Sequence, residues 1–248
     1  MIRLDKLLAQ QGSGSRREVK RLLHAGVVTI DNVPVFDGAQ KVDSAIHIVQ
    51  VAGRTVTQPE HSYLMLNKPA GVVTARSDRW HQTVFDLLGD ECRTPSIWTQ
   101  LHCIGRLDID TEGLLLVTTD GALTHRITAP KACVPKSYAV RLERAVTEQE
   151  QASYAARCAA GVHIAALGRE PAADCRSALL QWRTPNECHL TITEGKYHQV
   201  KRMIAALGNR VVFLRRIAVG GVLLDESLSP GAYRPLTRAE MAVLLDSA

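Results

Sequence analysis

A chain of 248 residues, 46% apolar and 22% charged, carries enough hydrophobic material to build a core without staples, in one large domain or in a large and a small one. No apolar run approaches the roughly 18 residues a bilayer span needs, and the opening MIRLDKLLAQQG is too charged for a signal peptide, so a soluble cytoplasmic protein with no membrane partner is expected. The net charge of +5 suits a polyanionic partner, yet three Phe, five Tyr and three Trp exclude a broad aromatic platform for reading bases.

In chain order, residues 1–58 read as a separate small unit. Leu4, Leu7 and Leu8 have helical spacing. A Gly-Ser break at 12–14 follows. Ser15 then stands as an N-cap with Glu18 at the capping-box position, and the helix SRREVKRLLHAG ends at Gly26. Two β-rich pieces, 27–30 and 33–36, flank an Asp31-Asn32 turn, and another apolar piece covers 46–51. TQPEH at 57–61 reads as a linker, which puts the junction at 59–62 and a second domain at 63–248. On a helical wheel, Val19, Leu22 and Leu23 share an arc of about 100°, and Arg16, Arg17, Lys20, Arg21 and His24 share one of about 140° on the other side. Only Glu18 offsets these cations. A solvated face is the bland alternative, but this pattern favours contact with a phosphate backbone.

The remainder alternates short strands with helices. Strands are predicted over 63–67, 114–118, 137–142, 178–182, 188–192 and 211–216, and helices over 123–129, 148–160, 196–207 and 237–245. The last helix has its own capping box, Thr237 with Glu240. This order predicts an α+β fold with a mixed, largely antiparallel sheet.

GRLDIDTEGLLLVTTDG, 105–121, crowds Asp108, Asp110 and Glu112 ahead of a buried-strand pattern. A calcium loop fits in part, but its fifth and twelfth positions hold Glu112 and Thr119. A glycosidase would need two acids across a bond; on a strand, Asp108 and Asp110 would face one side about 6.5 Å apart, which by itself is a weak sign. The third reading has a turn before a rigid strand projecting one acid, Asp108, into a cleft, with Asp110 and Thr111 binding backbone groups of the turn. A second cluster, EGKYHQVKRMIAALG, sets an apolar stripe of Val200, Met203, Ile204 and Leu207 against His198, Lys201 and Arg202; a cation from this group is a candidate partner for a buried acid. The nine histidines form no H-x-x-x-H pair and the six cysteines no C-x-x-C pair, so no metal site is expected and the thiols are expected reduced and mostly buried.

NKPAGVV (67–73), GRLDIDTEGLLLVTTDG and EGKYHQVKRM (194–203), in that order, resemble the three sequence blocks of bacterial ribosomal pseudouridine synthases. The similarity is greatest to the branch of pseudouridine synthase A, which modifies small-subunit (16S) ribosomal RNA. The first unit resembles the S-four-like RNA-binding domain of that branch. The resemblance implies that Asp108 is the reacting acid, Tyr138 of Lys136-Ser137-Tyr138 the active-site tyrosine, and Lys201 the basic partner of Asp108, with the adjacent Arg202 as the other candidate for that role and as a further cation for RNA. It implies that Arg106 fills the gap left by a flipped base, and that Arg16, Arg17, Lys20 and Arg21 bind RNA. It also implies a monomer that needs no cofactor and acts on 16S ribosomal RNA or a small-subunit assembly intermediate. Rival readings are a synthase for large-subunit (23S) RNA, a non-catalytic assembly factor and a carboxylate glycosidase.

Overall fold

The computed structural model describes residues 1–10, 13–43, 46–56 and 61–247. The chain forms two compact units, Met1–His61 with Asp90–Leu101, and Ser62–Gly89 with His102–Ala248. The excursion of 90–101 into the first unit interrupts what the sequence suggests is one continuous second domain. Most of the proposed linker, 57–60, and part of the Gly-Ser break lie outside the described residues.

In the first unit, helices Leu4–Gln10 and Arg16–His24 pack beside an antiparallel sheet in the order Val33–Pro34, Val28–Ile30, Val49–Val51, Arg54–Val56. Leu4, Leu7, Leu8, Val19, Leu23, Val28 and Val49 form its core. Glu18 accepts from both the amide (2.6 Å) and the hydroxyl (2.7 Å) of Ser15, closing the helix start as the sequence predicts. Asp31 and Asn32 take φ of 51° and 67°, the left-handed pair that a two-residue hairpin demands. Within the apolar piece 46–51 a strand forms from Val49, and Ile46 and Ile48 are exposed.

The second unit is built on a mixed sheet of nine described strands, whose main path runs Leu179–Thr184, Glu187–Ile192, Lys136–Leu142, Val211–Val219, Glu112–Thr118, Tyr63–Lys68, Tyr233–Pro235. The main-path pairs are antiparallel except one: Val211–Val219 runs parallel to Glu112–Thr118, with Arg216 opposite Gly113. From Gly113 to Thr118 every residue of that central strand is buried, because both faces of the sheet are covered. That is why the segment reads as an unbroken apolar run. Met65, Leu114, Leu116, Leu123, Ile127, Val219 and Leu244 make one core cluster.

Gly113 must be glycine. Its φ is +97°, and a Cβ there would stand 2.3 Å from the Arg216 carbonyl oxygen across the parallel pair. The helix predicted from 196 begins at Gln199, because His198 adopts left-handed backbone (φ 48°). The strand predicted to end at 216 continues to Val219, where a Gly220-Gly221 turn folds it against Val222–Leu223.

Candidate active site

The segment between strand His102–Cys103 and strand Glu112–Thr118 is an arm held from three directions. The Thr74 hydroxyl donates to the Leu107 carbonyl at 2.9 Å and accepts from the Leu107 amide at 3.2 Å. The Gly71 amide donates to the Ile109 carbonyl at 2.8 Å. Asp108, between these anchors, opens a turn closed by the Thr111 amide on the Asp108 carbonyl at 3.1 Å. From inside the sheet, the wholly buried Lys68 donates to the carbonyls of Pro69 (3.0 Å), Asp108 (3.0 Å) and Thr111 (2.8 Å). The backbone is fixed from below, which leaves the carboxylates to point outward.

Those carboxylates meet the second cluster. Lys201 Nζ stands 3.2 Å from Asp108 Oδ2 and 2.6 Å from Asp110 Oδ1. His198 Nε2 lies 3.5 Å from Asp108 Oδ1, and its ring stacks on Tyr197 with centroids 3.9 Å apart. Each Asp108 oxygen therefore faces a side-chain nitrogen. Burial opposes the Asp110 charge, but the hydrogen bond and charge of Lys201, helped by the Asp110 amide and His198, hold its carboxyl below the usual range. Burial pushes the Lys68 ammonium down to about 8, against the opposing pull of Asp110, Asp108 and Glu112. Arg216 is also buried, with Nε donating to the Leu114 carbonyl at 2.8 Å. The three alternating acids thus oppose the charge of Lys68 lodged in the sheet, which accounts for their crowding just ahead of a buried strand.

The sequence-predicted residues separate into groups. Asp108 and Lys201 come together. Tyr138 is buried in strand Lys136–Leu142, opposite Arg216, which in turn lies opposite Gly113; two strand spacings, about 10 Å, separate Tyr138 from the strand that the arm feeds. Arg106 is exposed at the start of the arm. Arg16, Arg17, Lys20 and Arg21 are exposed on one helix of the first unit, while Val19 and Leu23 face its core.

Arg202 is a correction. Expected among the cations offered to RNA, it is buried instead, and its guanidinium donates to the carbonyls of Ala165 (2.7 and 3.1 Å), Pro171 (2.7 Å) and Tyr197 (3.1 Å). It ties the start of its helix to the 165–171 loop and has little left for a phosphate. The turn chemistry differs from expectation at Thr111, whose buried hydroxyl has no partner among the described residues; the Asp110 carboxylate meets its own backbone amide and also Lys201. The site residues that pattern reading missed are Lys68 and Thr74; His198 belongs to the group that the sequence offers as partner to a buried acid. A lysine closing the apolar strand YLMLNK was the legible signal for the first.

The RNA pseudouridylate synthase family matches residues 62–206, and the S4 domain matches 2–45. Over 98% of its length the chain is 44% identical to an uncharacterized RNA pseudouridine synthase of Bacillus subtilis, YtzG, covering 98% of that protein. It is 43% identical over 97% of its length to ribosomal small subunit pseudouridine synthase A of Escherichia coli K12, covering 99% of it. A crystal structure of a pseudouridylate synthase superposes with a TM-score of 0.66 at 38% identity, covering 98% of this chain and all of that one. Fold and relatives define an RNA-modifying isomerase. The chain belongs to the RNA pseudouridylate synthase family and carries an N-terminal S4 domain. Among the described residues no helix is long and apolar enough to cross a membrane.

Proposed function

We propose that the protein converts a uridine of small-subunit (16S) ribosomal RNA to pseudouridine in the cytoplasm, as a monomer, with Asp108 as the reacting carboxylate and no cofactor. The observation that carries the chemistry is the pairing of Asp108 with Lys201 and His198 on an arm whose backbone is clamped by Lys68, Thr74 and Gly71. The RNA class follows the full-length relatives named small subunit pseudouridine synthase A.

The reaction breaks the bond from uracil N1 to ribose C1′ and makes one from C5 to C1′. The C5 proton departs and N1 gains a proton, so there is no net redox change and nothing is added. An ionised carboxylate meets the positive charge that develops at C1′ as the first bond breaks. Lys201 Nζ, 3.2 Å from Asp108 Oδ2, fixes the place of that carboxylate. One acid suffices because the detached base is recaptured rather than replaced by water, unlike glycoside hydrolysis with its two carboxylates. Tyr138 packs against the everted base, and Arg106 fills the place the base vacates. Eversion costs least at an unpaired or irregular site. Arg16, Arg17, Lys20 and Arg21 supply phosphate affinity.

The test is Asp108→Ala on 16S RNA transcript and on assembling small-subunit particles. Pseudouridine formation is expected to vanish while RNA affinity stays near wild type. Retained activity would remove Asp108 from its role. Pseudouridine missing from large-subunit RNA instead, in cells lacking the protein, would move the substrate to 23S RNA.

A further inference from the structure

The second unit displays an aromatic side chain that no role above uses. Trp80 is 80% exposed, an unusual state for a large amphipathic ring. Its loop is nevertheless well built. The root is zipped by Val73 N to the Gln82 carbonyl (2.9 Å) and Val84 N to the Val73 carbonyl (3.0 Å). At the tip, Asp78 Oδ1 accepts from the amides of Trp80 and His81, both at 2.8 Å, which spends that carboxylate on shaping the turn. The Arg79 guanidinium lies over the indole at 5.7 Å, and Arg76 lies over Phe85 at 4.6 Å. Residues 76–82 are all exposed, and apart from Trp80 they are polar or charged. The ring therefore stands in a cationic setting and not in an apolar patch.

The loop shares its footing with the reacting arm. Gly71 bonds Ile109 and Thr74 bonds Leu107, one on each side of Asp108. Trp80 is two residues, at most about 7 Å of chain, from Gln82, which is bonded to Val73. A ligand gripped at Trp80 is thus registered against Asp108 through backbone hydrogen bonds.

We propose that Trp80, backed by Arg79, is a stacking platform for an unpaired nucleobase of the substrate RNA beside the everted uridine. The proposal rests on the reading of RNA as substrate and names a side chain that holds it. An indole with a guanidinium at its face offers stacking to any base and charge to the adjoining phosphate. With so few aromatic residues in the chain, one ring on a loop bonded to the Asp108 arm would achieve what a broad aromatic surface achieves elsewhere.

The test compares Trp80→Ala and Trp80→Phe with wild type on naked 16S RNA transcript at fixed salt. Loss of the ring is expected to raise Kd and KM by about 5- to 160-fold, the range for removing one base–aromatic stack, with kcat little changed. Phe should recover most of the loss. In a Trp98→Phe, Trp182→Phe background, emission from Trp80 should be quenched by single-stranded oligouridylate. Unchanged Kd and KM in Trp80→Ala would overturn the proposal. So would a defect confined to assembling particles, which would assign the ring to a protein partner. A wild type that makes no pseudouridine, while Trp80→Ala still loses RNA affinity, would overturn the proposed reaction and leave the platform standing.

Discussion

The ammonium of Lys68 donates to the backbone carbonyl of Asp108 at 3.0 Å from a wholly buried position, so the arm is held through its main chain as well as through its carboxylates. Lys68→Met keeps the volume and removes the donors, taking the Lys68 bond from the carbonyls of Pro69 and Thr111 and leaving the Asp108 carbonyl with the Thr111 amide. Stability should fall by about 1–3 kcal/mol, the cost of stranding buried acceptors. The single-turnover rate should fall while RNA affinity holds, because the arm loosens and the RNA-facing surface does not. Thermal melting and single-turnover kinetics check both; a stable variant with full rate would show that the clamp is idle.

The same lysine sets a pH limb. Its folded pKa, pushed down by burial to about 8, lies below its ordinary 10.5. Above about 8 the folded protein loses the ammonium charge and one donor, so the rate should descend there as the arm slackens. Stability moves the other way. Between about 8 and 10.5 the unfolded chain binds more protons than the folded one, so this group's contribution rises with pH, and its burial penalty is fully present only below 8. A pH–rate profile beside pH-dependent denaturation separates the two. The descending limb near 8 should disappear in Lys68→Met.

Much of this site could be read from the residues because it depends on local spacing. The apolar stripe of Val200, Met203, Ile204 and Leu207 is buried throughout, and the Ser15 and Thr237 capping boxes form. The pairing of Asp108 with Lys201 came from resemblance and not from spacing, since the two residues lie far apart along the chain. What eluded the sequence depends on tertiary context. Arg202 and Lys201 are neighbours in a basic run, yet one turns inward to three carbonyls and the other outward to two carboxylates, because adjacent helix positions face about 100° apart. The left-handed backbone at His198, which starts the helix late and brings a ring to Asp108, has no marker in HQVKRM.

Lys201 is shared by two acids, and its removal should therefore cost more than one ion pair. Lys201→Met leaves Asp108 and Asp110 without the ammonium they share, and Asp108 with only the His198 ring 3.5 Å away. The rate of the chemical step should drop by about 10²–10³, as when one preorganised electrostatic partner is removed, with RNA affinity changed far less. Lys201→Arg keeps the charge and should retain a larger part of the rate. Equal losses in the two variants would point to packing and away from charge.

The cations of the first unit and Arg202 should behave oppositely. Charge reversal at Arg16, Arg17, Lys20 and Arg21, all exposed, is expected to weaken RNA binding. It should also flatten the dependence of log K on log salt by about 0.7 for each single-strand phosphate left without its cation, with kcat at saturating RNA preserved. Arg202→Met should leave that slope where it was and lower the melting temperature instead, because its guanidinium serves the Ala165, Pro171 and Tyr197 carbonyls. Affinity titrations across a salt series, paired with thermal melts, distinguish them. A slope that responds to Arg202 and ignores the helix would place the phosphate-binding surface on the wrong unit.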